Sequence, residues 1–195
     1  MPIGRPRAFD IDEALDRAMK VFWQKGYEGA SLPDLTKAMG INRPSLYAAF
    51  GNKEALFRKA IDRYVAGPAC HVNEALKEPT ARGVVERLLH RSIDLVTDSR
   101  NPCGCFMVQS ALACGDTADV IRQELVKRRA ASEAALRERF ERAVSDGDLP
   151  PDSDPADLAR YIATLIHGMA VQAAGGATRD ELLRVAAMAI RAWPT

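Results

Sequence analysis

Apolar residues recur along most of this chain at intervals of three and four, the period of a helix that buries one face. Helix-stopping residues separate these stretches. Ile11, Ala14, Leu15, Ala18, Met19 and Phe22 form the first stripe, with Asp10 and Glu13 as a capping-box start and Gly26 as its stop. Trp23 and Tyr27 fall where they can pack on the helices that follow. Residues 31–53 read as two short helices joined by a tight turn. Ser31 caps the first, Asp34 completes its capping box, and Pro33 is tolerated in the first turn, where amide donors are free. Leu35, Ala38 and Met39 repeat at helical spacing, and Gly40 can take the left-handed conformation that ends the helix. Asn42 caps the second helix, with Pro44 in its first turn; Leu46 and Phe50 turn inward, leaving Arg43, Ser45, Tyr47 and Ala49 on or near the outer side. This is a helix-turn-helix pattern, whose second helix can lie in a DNA major groove. A further helix begins near Asn52, buries Leu56, Phe57, Ala60, Ile61 and Tyr64, and must kink or end at Gly67-Pro68.

The rest also reads as helices. Residues 84–96 carry Val84, Val85, Leu88, Leu89, Ile93 and Val96; Pro102 and Gly115 enclose a short apolar helix, Phe106–Leu112. Residues 120–144 are strongly charged, with Ile121, Leu125, Leu136 and Phe140 on one side, and the run from Gly147 to Pro151 is a firm break. Asp154-Pro155 starts another helix, apolar almost all round over residues 158–174. Gly175-Gly176 ends it, Thr178 and Glu181 cap a last helix, and the chain closes near Trp193. A helix apolar on more than one face needs more than one partner surface. Tyr161, Ile162, Leu165, Ile166 and Met169 cannot all face one core. With Leu183 and Ile190 they predict that residues 154–174 and 178–193 form a helix pair that meets its copy in a homodimer.

The run from Gly40 to Leu56, Gly-Ile-Asn-Arg-Pro-Ser-Leu-Tyr-Ala-Ala-Phe-Gly-Asn-Lys-Glu-Ala-Leu, resembles the signature of the TetR family of bacterial transcriptional regulators. The resemblance is specific from about Phe9 to Tyr64 and looser to the C-terminus. It implies an all-α fold in two parts: an arm and three-helix DNA-binding domain over residues 1–51, and a larger helical domain for ligand binding and dimerisation over residues 52–195. The helix from 52 would be the connector and the last two helices a four-helix dimer interface. It also puts Arg43, Pro44, Ser45 and Tyr47 at the family's DNA-contact positions. Arg43 would read guanine bidentately, Pro44 would touch a thymine methyl or shape the helix start, and Ser45 and Tyr47 would bond phosphates. Lys53 and Ser31, each at a helix N-terminus, would add phosphate contacts. The sequence departs from the pattern at Ala48 and Ala49, where the family often has larger residues, so direct readout would rest mainly on Arg43 and shape readout would gain weight.

Charge sharpens this picture. The net charge of the 195-residue chain is only +1, but the first 64 residues hold 11 Lys and Arg against 8 Asp and Glu, while the remainder holds 16 against 18. The basic excess thus travels with the helix-turn-helix, as a DNA-facing module needs. Arg5 and Arg7, in a short polar arm, are candidates for phosphate or minor-groove contact. No apolar run approaches the ~20 residues of a membrane span, no apolar leader precedes the first helix, and four cysteines do not organise a chain of this size. A cytoplasmic location without membrane contact is expected.

No catalytic constellation or phosphate-binding glycine loop stands out, so neither enzyme activity nor a cofactor is expected. Apolar helices in the C-terminal part predict a pocket for a small apolar or weakly polar effector, lined by Ile93, Phe106, Met107, Gln109 and Phe140. Cys103-Gly104-Cys105, with Cys114, Cys70, His71 and His90 elsewhere, admits a thiol redox or metal sensor; Cys105 and Cys114 as small buried hydrophobes explain the same residues without one, and no metal site is expected. The overall expectation is a sequence-specific DNA-binding repressor released from a palindromic operator by a small molecule. The competing reading is a helical small-molecule-binding protein or enzyme that keeps a vestigial helix-turn-helix.

Overall fold

The computed structural model describes residues 9–112 and 119–194; Arg5, Arg7 and Cys114 lie outside the described residues. Among these residues the chain forms ten helices and no strand: α1 (Ile11–Gly29), α2 (Leu32–Met39), α3 (Arg43–Phe50), α4 (Lys53–Ala66), α5 (His71–Ala75), α6 (Ala81–Thr97), α7 (Phe106–Leu112), α8 (Asp119–Ser145), α9 (Pro155–Ala174) and α10 (Arg179–Arg191). The caps act as the sequence suggests. Asp10, Ser31, Asn42, Asn52, Asp154 and Thr178 each accept from first-turn amides, and Ser31–Asp34 and Thr178–Glu181 close complete capping boxes. Gly26 leaves helical geometry as expected, with φ 68°, but one more turn follows it to Gly29. Beyond Gly67-Pro68 the chain makes the short helix α5, which has no side-chain cap and too few apolar residues to announce itself.

Two apolar clusters organise the helices. One gathers Phe22, Trp23, Leu35, Leu46, Phe50, Phe57 and Tyr64 from α1–α4 and also takes Phe106 from α7 and Ile121 and Leu125 from α8. The other joins Leu88, Leu89 and Ile93 of α6, Leu136 and Phe140 of α8, Ile162 and Met169 of α9 and Trp193 after α10. α4 thus buries its stripe with the helix-turn-helix, and the Arg63 guanidinium ties it to α1 through two bonds to the Asp16 carboxylate, at 2.7 and 2.9 Å. Phe106 is the closing stone of the first cluster. Its ring meets Phe57 edge-on at 5.4 Å and Tyr64 edge-on at 5.5 Å, and stacks at 6.5 Å from Trp23.

Phe106→Ala is therefore expected to remove about 3–5 kcal/mol of stability, the range for emptying a buried phenylalanine site. The loss should appear in urea unfolding followed by the emission of Trp23 in a Trp193→Phe background, since the chain holds two tryptophans. A loss below about 1 kcal/mol would mean that α7 is not part of this core.

Candidate DNA interface and effector cavity

Local chemistry ends α2 and starts α3. Gly40 ends α2 with φ 69°, a left-handed conformation that costs glycine nothing. Ile41 and Asn42 then reverse the chain, and the Asn42 side chain accepts from the Ser45 amide at 2.9 Å. α3 consequently turns Leu46 and Phe50 inward and leaves Arg43, Pro44, Tyr47 and Ala48 exposed, with Ser45 half-buried. Tyr47 is 48% exposed, and a large apolar ring left in water on this small helix marks a contact surface. Arg43 forms no ion pair among the described residues, so its guanidinium is available to a base or phosphate.

The two flanking candidates are more constrained. The Lys53 ammonium lies 4.6 Å from the centre of the Tyr27 ring, and burial pushes its pKa down while nearby Glu28 pulls it up. The Ser31 hydroxyl donates to Asp34 at 2.7 Å and accepts from the Asp34 amide at 3.2 Å, so its proton is engaged in the capping box. Asp34 also pairs with Lys25 at 3.0 Å, and the Ser31 bond leads the causes that hold its carboxyl at about 2.

A cavity of about 280 Å³ lies between α4, α5, α6, α7, α8 and α9. Leu88, Val96, Leu136, Ile166 and Met107 supply apolar wall; His71, Ser92, Cys105, Arg128, Arg129, Glu133 and His167 bring the polar groups. Its floor is the buried face of α6, and its rim includes exposed Asn73, Ala131 and Ser132. This differs from the set the sequence suggested. Of the five expected lining residues only Met107 reaches the wall. Ile93 and Phe140 are fully buried in the C-terminal core, Phe106 fills the aromatic cluster, and Gln109 turns back to donate to the Cys103 carbonyl at 2.7 Å. The large apolar side chains are consumed in holding the helices together, so the wall falls to the residues around them.

The dimer candidates divide in the same way. Ile162 and Met169 are buried inside the protomer, because α9 packs against both α6 and α8, and Ile166 faces the cavity. Leu165, Leu183 and Ile190 are half-buried, while Tyr161 is exposed. Four of the seven large hydrophobic residues exposed among the described residues lie on α9 and α10: Tyr161, Val171, Val185 and Met188, the last 62% exposed. The apolar surface is thus real but made of positions other than Ile162 and Met169.

The segment between α6 and α7 joins cavity to DNA-binding core. Gly104 has φ 82°, and a Cβ there would come within 2.6 Å of Gln109 Nε2 and 3.1 Å of the Ala170 carbonyl, so only glycine fits. Its carbonyl accepts from the Trp23 indole at 3.1 Å, and the Tyr64 hydroxyl donates to Cys105 Sγ at 3.3 Å. Arg128 at the cavity also pairs with Asp62 of α4 at 2.7 Å. Cys103 is exposed and Cys105 half-buried, and neither is in a disulfide. Among the described residues no group of three His, Cys, Asp or Glu is placed to hold a metal ion.

Burial disfavours the charged form of both cavity imidazoles. Burial lowers the pKa of His71 from its ordinary 6.5, with Pro68 acting against it and nearby Arg91 adding to it; burial, then Arg129, lowers His167. Each contributes stability that is present above the unfolded value and lost as the pH falls through the folded one. Acidification from about pH 7 to about pH 5 is thus expected to lower the urea midpoint, and His71→Gln/His167→Gln to flatten that dependence. Parallel curves for parent and variant would contradict the burial of these rings.

Residues 14–60 match the family described as bacterial regulatory proteins, tetR family, and residues 81–189 match the tetracyclin repressor-like C-terminal domain. The HTH-type transcriptional repressor ComR of Escherichia coli (strain K12) is 36% identical over 193 residues, covering 98% of this chain and 92% of that protein. The HTH-type transcriptional repressor BdcR of the same organism is 28% identical, covering 95% and 90%. A cysteine-substituted form of the TetR-family regulator CifR, solved with 26-bp operator DNA, superimposes with a TM-score of 0.93 at 46% identity, over 97% of this chain and 100% of that one. Among the described residues no helix is long and apolar enough to cross a membrane. With both of its parts matched and its helix-turn-helix formed from the residues that carry the signature, this chain belongs to the TetR family of bacterial regulatory proteins.

Proposed function

We propose that the protein is a homodimeric transcriptional repressor that binds a near-palindromic operator through α3 and leaves it when a small molecule occupies the cavity behind α4. The observation that carries this reading is the placement of a free Arg43 and an exposed Tyr47 on the outer face of a capped recognition helix. The relatives named as repressors, and the CifR complex with operator DNA, support the direction of control. Two-fold symmetry places the recognition helices in successive major grooves, about 34–36 Å apart. Coupling runs through the contacts that hold the Gly104–Phe106 segment and Arg128 to α1 and α4. An effector that shifts α6 or α7 pulls on Trp23 and Tyr64, and through them on the angle of the DNA-binding helices.

Selection from a random duplex pool tests the DNA part. Arg43→Ala is expected to lose about 1–3 kcal/mol of discrimination at one base pair per half-site, whereas Tyr47→Phe weakens all duplexes alike. An unchanged selection profile for Arg43→Ala would remove the readout role. Sedimentation tests assembly. Val185→Glu with Met188→Glu introduces charge on the exposed apolar face of α10 and is expected to give monomers at micromolar concentration that bind half-sites weakly; a parent that is already monomeric would rule out the dimer.

A further inference from the structure

Two arginines and one glutamate line the cavity among the described residues, and two of these three charges are matched from within the protein. Arg128 pairs with Asp62 at 2.7 Å and with Glu124 at 2.6 Å, and Glu133 pairs with Arg160 at 2.7 Å. Arg129, next to Arg128 on α8, makes no ion pair among the described residues and is half-buried. Arg129, Glu133 and His167 also border the open groove between α8 and α9, which puts them at the edge where cavity and groove meet. The guanidinium is near enough to the His167 ring to disfavour a second positive charge there. Away from this edge, buried Leu88 and Val96 of α6 make the floor apolar.

We infer that the cavity takes a small carboxylate with an apolar body, whose head group bonds the Arg129 guanidinium; that such a ligand is the effector rests on the cavity being the effector site. A guanidinium presents a planar fork of N–H donors, which a carboxylate meets with two parallel bonds. At a half-buried site that pair is screened less than on open surface. A cationic amine would meet Arg129 with no free counter-charge, because Glu133, the one carboxylate among the described lining residues, is held by Arg160. Leu88, Val96, Leu136 and Ile166 take the apolar body. A dry cavity of about 150 Å³ holds a benzene-sized guest, so about 280 Å³ suits roughly ten to twelve heavy atoms.

4-Phenylbutyrate, 4-phenylbutanamide and 4-phenylbutylamine share one skeleton of this size and differ in the head group: an anion, a neutral polar group and a cation. Titrated into the full chain near neutral pH, the acid is expected to bind about five- to tenfold more tightly than the amide, and the amine least tightly of the three. Arg129→Gln should erase the preference for the acid and leave the amide affinity in place; Arg129→Lys, which keeps the charge and loses the fork, should retain part of it. An amide that binds as tightly as the acid, or a preference that survives Arg129→Gln, overturns the carboxylate assignment while leaving the cavity as a ligand site. Failure of all three to bind overturns the assignment outright. An acid that binds with the expected preference yet leaves the affinity for a selected duplex unchanged upholds the carboxylate site and removes the effector role of the cavity.

Discussion

The Trp23 indole donating to the Gly104 carbonyl, with Phe106 filling the space behind it, makes the core of the DNA-binding helices depend on a segment from the other half of the chain. The bond is buried, so losing it leaves a donor and an acceptor without water, at a cost of about 1–3 kcal/mol. Gly104 is hemmed in by Gln109 and by the Ala170 and Ala174 backbone and side-chain atoms of α9, which fixes where its carbonyl points. Phe57 and Tyr64 of α4 pack edge-on against Phe106, so connector, first helix and effector-side loop share one close-packed cluster. Interiors packed this tightly transmit displacement instead of absorbing it. On the proposed reading, the cavity therefore needs no long path to reach the recognition helix: Cys105 and Met107 line it, and Phe106 between them is already in the DNA-binding core.

α9 shows a second constraint. Its apolar surface serves three neighbours at once. Ile162 and Met169 face the protomer core, Ile166 and Ala163 face the cavity, and Tyr161 and Val171 face outward. A helix in that position cannot be repacked on one side without consequence on the others. The surface proposed to meet a second copy and the wall proposed to meet an effector then belong to one rigid element, whose partner α10 adds Val185 and Met188 to the outward face.

Much of the fold was legible in the sequence because its punctuation is local. Asp10, Ser31, Asn42, Asn52, Asp154 and Thr178 cap helices by bonds within three residues, and the apolar spacing between them fixes which face turns inward. The exposed face of α3 followed from the same logic, since Leu46 and Phe50 leave Arg43 and Tyr47 nowhere else to point. The cavity was not legible. Sequence reasoning looked for large apolar residues, but Ile93, Phe106 and Phe140 are what close the cores, and a cavity is where such residues stop. His71, Ser92 and Arg128 share one cavity only because α5, which the apolar spacing does not announce, brings residue 71 against residue 92, and Arg128 of α8 reaches Asp62 of α4. Nothing in the spacing of those residues marks the encounter. The split of α9 among its neighbours was legible in kind, from its all-round apolarity, but not in which residue faces which neighbour.

The central claim is that occupation of the cavity and docking of α3 on DNA oppose one another through the Gly104–Phe106 segment. Linkage makes this a measurement at equilibrium: the factor by which a ligand weakens DNA binding must equal the factor by which DNA weakens the ligand. Titrating a small ligand with an apolar body, found by its stabilisation of the free protein, into the free protein and into protein saturated with a duplex selected from a random pool measures that factor directly. The account predicts binding weaker by about tenfold, roughly 1.4 kcal/mol, in the DNA complex. Equal or tighter binding in the complex would contradict it, and would leave the cavity and the recognition helix as independent features of one molecule.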